Sequence, residues 1–306
     1  MRPPKPRVDP WRAQGVLDEI EREAAGAKRT SRTVFLTGAE CPFTCVFCDL
    51  WRFTTDDPTP RGAIPRQLET ALADLEHGEP HTLKLYNASN FFDERAVPVA
   101  DHTAIARLLS PFQRVVVECH PRLVDERCLA FRDLIEGDLE IALGLETVHP
   151  RAMAGLNKQM TLEDYETATA FAHDHEISTR TFVLIGAPGV PAHEATDWIE
   201  RSVRHAIASG TSHVALIPVR AGNGALEELS TRGEFSEPDL GAIEEAFAGG
   251  LTAQTPEAPV SLDLWDLEAH AGSPCCSAER VTRLREMEAS GRLLPPVECA
   301  RCEESQ

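Results

Sequence analysis

Ten consecutive residues, Glu40-Cys41-Pro42-Phe43-Thr44-Cys45-Val46-Phe47-Cys48-Asp49, carry three thiols in a C-x3-C-x2-C spacing with an aromatic residue before the last. Cysteine thiolates are the usual ligands of iron-sulfur clusters, and a compact loop turns successive sulfurs inward. Three of them hold three irons of a 4Fe-4S cluster, which leaves the fourth iron open to a small chelating ligand. The same thiols also suit part of a zinc site with a remote fourth ligand, although structural zinc sites usually show paired C-x2-C halves. An electron-carrying ferredoxin would need four nearby cysteines and no long scaffold after them.

A second group lies near the end of the chain. Cys275-Cys276 and Cys299-Ala300-Arg301-Cys302 offer four more sulfurs, the latter pair with the knuckle spacing of a zinc ribbon. Adjacent side chains in an extended segment point opposite ways, so Cys275 and Cys276 reach one metal only from a tight turn, which Gly272-Ser273-Pro274 can supply. His270 is a substitute ligand. Structural zinc, an auxiliary iron-sulfur cluster and free thiols all remain open for this group. Cys119 and Cys128 stand apart and read as small buried hydrophobes.

The elements that must position the first loop are recognisable. β-type runs occur at 33–38, 82–87, 114–119, 139–145, 180–186 and 213–219, with intervals that leave room for one helix each. The clearest helix starts at Thr161, whose hydroxyl can cap, with Asp164 three residues on and Leu162, Tyr165, Ala168, Phe171 and Ala172 on one stripe. Repeated βα units give a mostly parallel sheet, as either an open doubly wound sheet or an incomplete barrel. In both, ligands gather at the C-terminal ends of the strands. The residues to inspect are therefore Gly38 to Glu40, Asn87 to Asn90, Glu118 to Pro121, Glu146, Gly186 to Gly189 and Arg220. After residue 250 the rhythm ends, and a strand-like 261–267, a helix near 279–289 and the late cysteines form an appendage.

The cysteine spacing, directly after the first strand of such a series, resembles the signature of the radical S-adenosylmethionine (SAM) superfamily. The segments Leu83-Lys84-Leu85-Tyr86-Asn87-Ala88-Ser89-Asn90-Phe91-Phe92, Val115-Val116-Val117-Glu118-Cys119-His120-Pro121 and Gly144-Leu145-Glu146-Thr147, with Asn157-Lys158 and a helix after it, extend the likeness over approximately residues 30–250. They are similar to the branch that includes the Elongator catalytic subunit and the methylthiotransferases, and most of all to the archaeosine-type proteins. The resemblance implies an α/β fold, a partial (βα)6 TIM-like barrel with a small Cys-containing C-terminal appendage. It divides the chain into a basic N-terminal extension (1–32), a radical SAM partial barrel (33–250) and a metal-binding C-terminal appendage (251–306).

It further implies an enzyme with a 4Fe-4S cluster on Cys41, Cys45 and Cys48 that reductively cleaves SAM to a 5′-deoxyadenosyl radical, which abstracts hydrogen from a substrate. A reducing donor of flavodoxin or ferredoxin type would supply the electron. SAM itself would meet Asn87 and Ser89 near its amino group and Glu146 at a ribose hydroxyl or the amino group. Arg180, at the start of the fifth run, can pair bidentately with its carboxylate. Glu118 and His120 face either SAM or substrate. Cys275, Cys276, Cys299 and Cys302 would add zinc or a second iron-sulfur cluster. The alternative of another class is an iron-sulfur or zinc protein without catalysis.

Charge limits the substrate. With 30 Lys+Arg against 49 Asp+Glu the chain is at −19, so undirected attraction to phosphate backbones or anionic lipid is excluded. The first 32 residues run against this trend, with eight Lys/Arg and five acids. A tRNA substrate is suggested by the resemblance and kept open by this basic stretch, while a small molecule or peptide fits the charge equally well. No run reaches the roughly 18 apolar residues of a membrane span. The N-terminus lacks the apolar core of a secretory signal, so a cytoplasmic location is expected, where nine cysteines suit metal chemistry better than disulfides.

Overall fold

The computed structural model describes residues 4–75, 81–271 and 275–299. Eight strands form one sheet in sequential order: β1 (Gly15–Arg22), β2 (Lys28–Leu36), β3 (Thr82–Asn87), β4 (Arg114–Cys119), β5 (Asp138–Glu146), β6 (Ser178–Ile185), β7 (His213–Pro218) and β8 (Val260–Leu262). β1 pairs antiparallel with β2, and every later pair is parallel. The crossovers carry α1 (Ala63–Ala71), α2 (His102–Leu109), α3 (Glu126–Arg132), α4 (Pro150–Gly155), α5 (Leu162–Asp174), α6 (Ala195–Ala208), α7 (Ala225–Thr231) and α8 (Leu240–Ala253), and α9 (Ser277–Ser290) follows β8. The sheet curls into a nearly closed TIM-like barrel.

The six runs read from the sequence are β2 to β7. Thr161 caps α5 through the expected box, its hydroxyl accepting from the Asp164 N–H while the Asp164 carboxylate accepts from the Thr161 N–H at 2.7 Å. Two differences stand out. The run expected at 261–267 is a strand only over Val260–Leu262, and it extends the parallel sheet beside β7. β1, GVLDEIER, has no counterpart in the sequence reading because half of its residues are charged. Its charges turn out to satisfy the barrel interior.

Parallel neighbours in register share a face, so one alternation along the strands faces the helices and the other faces the lumen. The outer set is apolar: Val34, Leu36, Leu83, Leu85, Val115, Val117, Ile141, Leu143, Val183, Ile185, Val214 and Leu216 pack with Ile64, Leu68, Ile105, Phe131, Tyr165, Val203 and Phe247 of the helices in one core. The inner set is polar and charged towards the N-terminal ends of the strands. Lys84 Nζ donates to Glu19 at 2.8 Å and Glu21 at 2.9 Å, and Arg180 donates to Glu140 and Glu21 at 2.7 Å each. His213 Nε2 and Ser261 Oγ lie 2.7 Å apart beside them. Towards the other end Phe35, Tyr86, Glu118, Phe182, Ala215 and Ile217 line the lumen and stay half-buried. An ordinary barrel of this kind fills its interior with branched apolar side chains. Here an ionic floor closes one end and leaves room above it.

This floor is where Arg180 sits. Its position opposite Ala142 and His213 is low in the barrel, and its guanidinium is taken up by Glu140 and Glu21. Four of the basic residues of the first stretch are similarly engaged. Arg32 bridges Asp18 and Asp74, Arg29 meets Glu23, Lys5 meets Glu40 and Asp56, and Arg22 donates to the Val260 carbonyl across the opening between β1 and β8.

Arg180→Met should destabilise the fold by about 3–5 kcal/mol, the cost of leaving buried carboxylates without their cation, read as a lower urea midpoint. Burial alone would raise the Glu21 carboxyl, but Arg180 and Lys84 outweigh it and hold the carboxyl well below the ordinary carboxylate range. The stabilisation from Glu21 is therefore fully present above the ordinary carboxylate pKa and is lost as pH falls through the depressed value. The acid limb of the wild-type stability profile should flatten in Glu21→Gln.

Candidate functional site

The three-cysteine loop leaves β2 at the C-terminal end of the barrel and is pinned along its length. At its entry, the Ala39 N–H donates to Thr59 Oγ1 at 3.0 Å and the Thr55 N–H donates to the Gly38 carbonyl at 2.8 Å. A Cβ on Gly38 would lie 2.9 Å from the Ala96 carbonyl oxygen, so the close approach requires glycine. In the middle, the Val46 N–H donates to the Leu156 carbonyl at 2.9 Å, and Asn157 Nδ2 donates to the Thr44 carbonyl at 2.9 Å. Asn223 Nδ2 donates to the Val46 carbonyl at 2.7 Å. Phe43 stacks on His120 with ring centres 3.7 Å apart, and Val46 and Phe47 pack against Leu184, Ala187, Val219, Leu226 and Phe235. Residues following β4, β5 and β7 thus orient one loop that follows β2.

Cys41, Cys45 and Cys48 are half-buried. Burial raises all three thiols, Cys45 to about 11 and Cys48 to about 12. Such thiols stay protonated in neutral water, and a bound metal is what deprotonates a thiol of this kind outright. Asn90 Nδ2 donates to Cys41 Sγ at 3.2 Å, while Asn90 Oδ1 accepts from the His120 N–H at 2.7 Å. That arrangement fixes the amide so that its NH2 faces the sulfur. The donor set is soft and all-thiolate, which suits an iron-sulfur cluster.

Beside the loop, the ends of β3, β4 and β5 bring together most of the residues singled out from the sequence. The Asn87 N–H donates to Glu118 Oε2 at 2.9 Å. Both side-chain polar atoms of Asn87, and Ser89 Oγ, are buried without a hydrogen-bond partner among the described residues. Buried polar side chains in native proteins nearly always have a partner, so these three atoms, the Nδ2 donor, the Oδ1 acceptor and the hydroxyl, fit a polar ligand. Glu146 ends β5 at a register shift, with φ 68°, and its carboxylate is paired to Lys158, both side chains being nearly fully buried. A Cβ on Gly144 would collide with Glu146 Oε1 and Lys158 Nζ, so the pair lies directly over the glycine backbone. Glu118 is enclosed nearby, and burial pushes its carboxyl up to about 8. His120 is pushed down to about 4, mainly by burial and then by Lys158. The Gly186–Gly189 turn follows β6, both glycines at positive φ.

Arg180 is not part of this group, being committed to the ionic floor. The sulfurs of Cys275, Cys276 and Cys299 form a cluster of their own. Cys302 lies outside the described residues. Asn90 closes the Asn87–Asn90 strand end singled out from the sequence, whereas Lys158 belongs to the site yet was visible in sequence only as part of a longer similar segment. A positive φ at both Asn157 and Gln159 explains how Lys158 is turned inward, and asparagine is the local signal for such a bend.

The chain is 23% identical over 242 residues to an uncharacterized protein of Methanocaldococcus jannaschii, covering 74% of this chain and 66% of that one. Among solved structures it is similar to the archaeal Elp3 of Methanocaldococcus infernus (TM-score 0.56, 15% identity, 85% of this chain and 63% of that one). It is also similar to the radical SAM methyltransferase TsrM of Kitasatospora setae (TM-score 0.51, 15% identity, 85% and 59%) and to methylornithine synthase PylB (TM-score 0.51, 16% identity, 75% and 65%). The chain therefore spans less than two thirds of the length of each of these relatives. No family model matches it.

The electrostatics of the group can be tested directly. The Glu118 carboxyl should titrate near 8 by isotope-edited infrared spectroscopy, and Lys158→Met, by removing the cation that opposes burial, should move it higher still. Because the folded value exceeds the unfolded one, Glu118 favours folding at low pH and loses that contribution as pH rises towards 8. Titration in the ordinary carboxylate range would refute the enclosed geometry.

Proposed function

We propose that this chain, which has the fold of the radical SAM superfamily and resembles its Elp3-containing branch, is a radical SAM enzyme. Cys41, Cys45 and Cys48 would hold a 4Fe-4S cluster, and Asn87, Ser89 and Glu146 would contact SAM. The observation that carries this reading is the convergence, at one end of the barrel, of a pinned three-thiol loop with buried polar atoms of Asn87 and Ser89 that have no partner among the described residues. When bound, the pair of cofactors supplies one-electron reductive cleavage of SAM to a 5′-deoxyadenosyl radical. Of the similar proteins, TsrM is described as a radical SAM methyltransferase with an aza-SAM analogue and tryptophan bound.

The chain's own residues have defined tasks in such a reaction. Asn90 donates to the Cys41 sulfur and tunes its basicity, as groups around a ligand commonly do. Asn87 Oδ1 and Ser89 Oγ would offer acceptors to the N–H bonds of an amino group. Glu146, fixed by Lys158, presents its remaining carboxylate oxygen to a hydroxyl or amino group. Neutral Glu118 can donate a hydrogen bond where a charged carboxylate would repel Glu146. Phe35, Tyr86 and Phe182 line the lumen and exclude water from a substrate held there. The electron would come from a reducing protein of flavodoxin or ferredoxin type, and the substrate, tRNA among the candidates, would be recognised at the mouth of the barrel.

Protein reconstituted with iron and sulfide should release 5′-deoxyadenosine from SAM in dithionite, and the Cys41→Ala/Cys45→Ala/Cys48→Ala variant should lose both the cluster and this release. Glu146→Ala should bind SAM more weakly by about 1–3 kcal/mol, the cost of a charge-assisted hydrogen bond, with iron content unchanged. Full SAM cleavage by the triple variant would end the reading.

A further inference from the structure

We propose that Cys275, Cys276 and Cys299 hold a single zinc ion, and that this ion anchors helix α9 so that its far end can hold the two open edges of the barrel together. The inference does not depend on the chemistry proposed for the barrel mouth.

Sulfur spacing separates the readings that the sequence leaves open. In a mononuclear tetrahedral site with Zn–S bonds of about 2.3 Å, neighbouring sulfurs stand about 3.8 Å apart. Cys275 Sγ lies 3.7 Å from Cys299 Sγ and 4.0 Å from Cys276 Sγ, and all three sulfurs fall within 4.8 Å of one another. In a 4Fe-4S cluster each thiolate binds a different iron, which spreads the sulfurs over separate corners. Cys41, Cys45 and Cys48 are not gathered within that span, whereas the late group is. These distances are also far longer than a disulfide. His270, whose Nδ1 is 2.8 Å from the Pro238 carbonyl oxygen, is not among the converging ligand atoms. The sequence carries a further thiol at Cys302, outside the described residues.

The surroundings compensate thiolate charge. Cys276 directly precedes α9, a 14-residue helix, so its sulfur stands at the positive end of the helix dipole. Arg280, one turn on, faces Cys276 electrostatically while its guanidinium is held by Glu244 of α8. After α9 the chain runs back along the helix, with Arg283 Nη2 donating to the Leu294 carbonyl at 2.7 Å and its Nε to the Pro295 carbonyl at 2.6 Å, which returns Cys299 to Cys275. Zinc would close this loop, displacing the thiol protons to solvent as it binds.

At its other end α9 touches both barrel edges. Glu288 Oε2 accepts from the Leu262 N–H of β8 at 2.8 Å, and the Glu288 carbonyl accepts from Arg22 Nε of β1 at 3.3 Å. Arg22 Nη2 in turn donates to the Val260 carbonyl of β8 at 2.5 Å. β1 and β8 are the terminal strands of the sheet and no strand ladder joins them among the described residues; Arg22 and Glu288 bridge the seam, beside one backbone bond from the Ala25 N–H to the Pro256 carbonyl at 2.7 Å. A metal that fixes the start of α9 fixes the register of this clasp.

Zinc and iron should be counted by mass spectrometry in the reconstituted full-length protein and in Cys275→Ser/Cys299→Ser, alongside amide hydrogen exchange. The expected result is about one zinc per chain, lost in the variant with iron retained, and about tenfold faster exchange in β1 and β8 with β4 and β5 unchanged. Should the variant fail to fold, mild removal of zinc from wild-type protein by a chelator provides the same exchange comparison. Iron in excess of one 4Fe-4S cluster, or no zinc, would overturn the site. Zinc lost without faster exchange at β1 and β8 would overturn the clasp.

Discussion

A barrel that spends its apolar side chains on the outer face must satisfy every charge it turns inward. The helices cover Val, Leu and Ile from β2 to β8, and the lumen is left with Lys84, Glu140, Arg180 and His213. Isolated, any of these would be prohibitive to bury. β1 resolves the problem by laying Glu19 and Glu21 beside Lys84 and Arg180, which makes an N-terminal antiparallel strand a condition for the parallel barrel behind it. The ionic layer also serves as a floor. Above it the lumen is lined by Phe35, Tyr86, Glu118, Phe182, Ala215 and Ile217, which stay half-buried.

The mouth depends on the same economy of partners. Glu146, Glu118 and Lys158 place two carboxyls and one ammonium in an enclosed space, where one carboxylate takes the cation and the other is driven towards its neutral form. Gly144 makes room for the pair. The thiol loop has little structure of its own and takes its shape from Asn157, Asn223 and His120, each presented from beyond a different strand end. Loop geometry and lumen geometry are therefore set by one scaffold.

Much of this was legible beforehand because its signals are local. Thr161 and Asp164 cap a helix through four consecutive residues, and six apolar runs with helical intervals imply parallel strands wherever they occur. The thiol spacing and the strand-end residues Asn87, Ser89, Glu118 and Glu146 follow from the rule that ligands gather at the C-terminal edge of such a sheet. β1 was missed since half of its residues are charged, with Asp18 and Glu19 adjacent, so no apolar-polar alternation marks it as a strand and its counterions lie far along the chain. Arg180 shows the same limit. A guanidinium near a strand suits an anionic ligand and a buried ion pair equally, and the choice turns on Glu21, 159 positions away in sequence.

Sequence alone determined the kind of donor atoms, their spacing on short segments and the order of the βα units, because these rest on chemistry and periodicity within a few residues. Tertiary structure decided which charges meet each other, which polar atoms of Asn87 and Ser89 have no partner among the described residues, and that the sulfurs of Cys275, Cys276 and Cys299 gather within 4.8 Å of one another. The reason is physical: a titratable side chain acquires its role from the dielectric and the partners around it. Both are supplied by residues distant along the chain that only the closed barrel brings near.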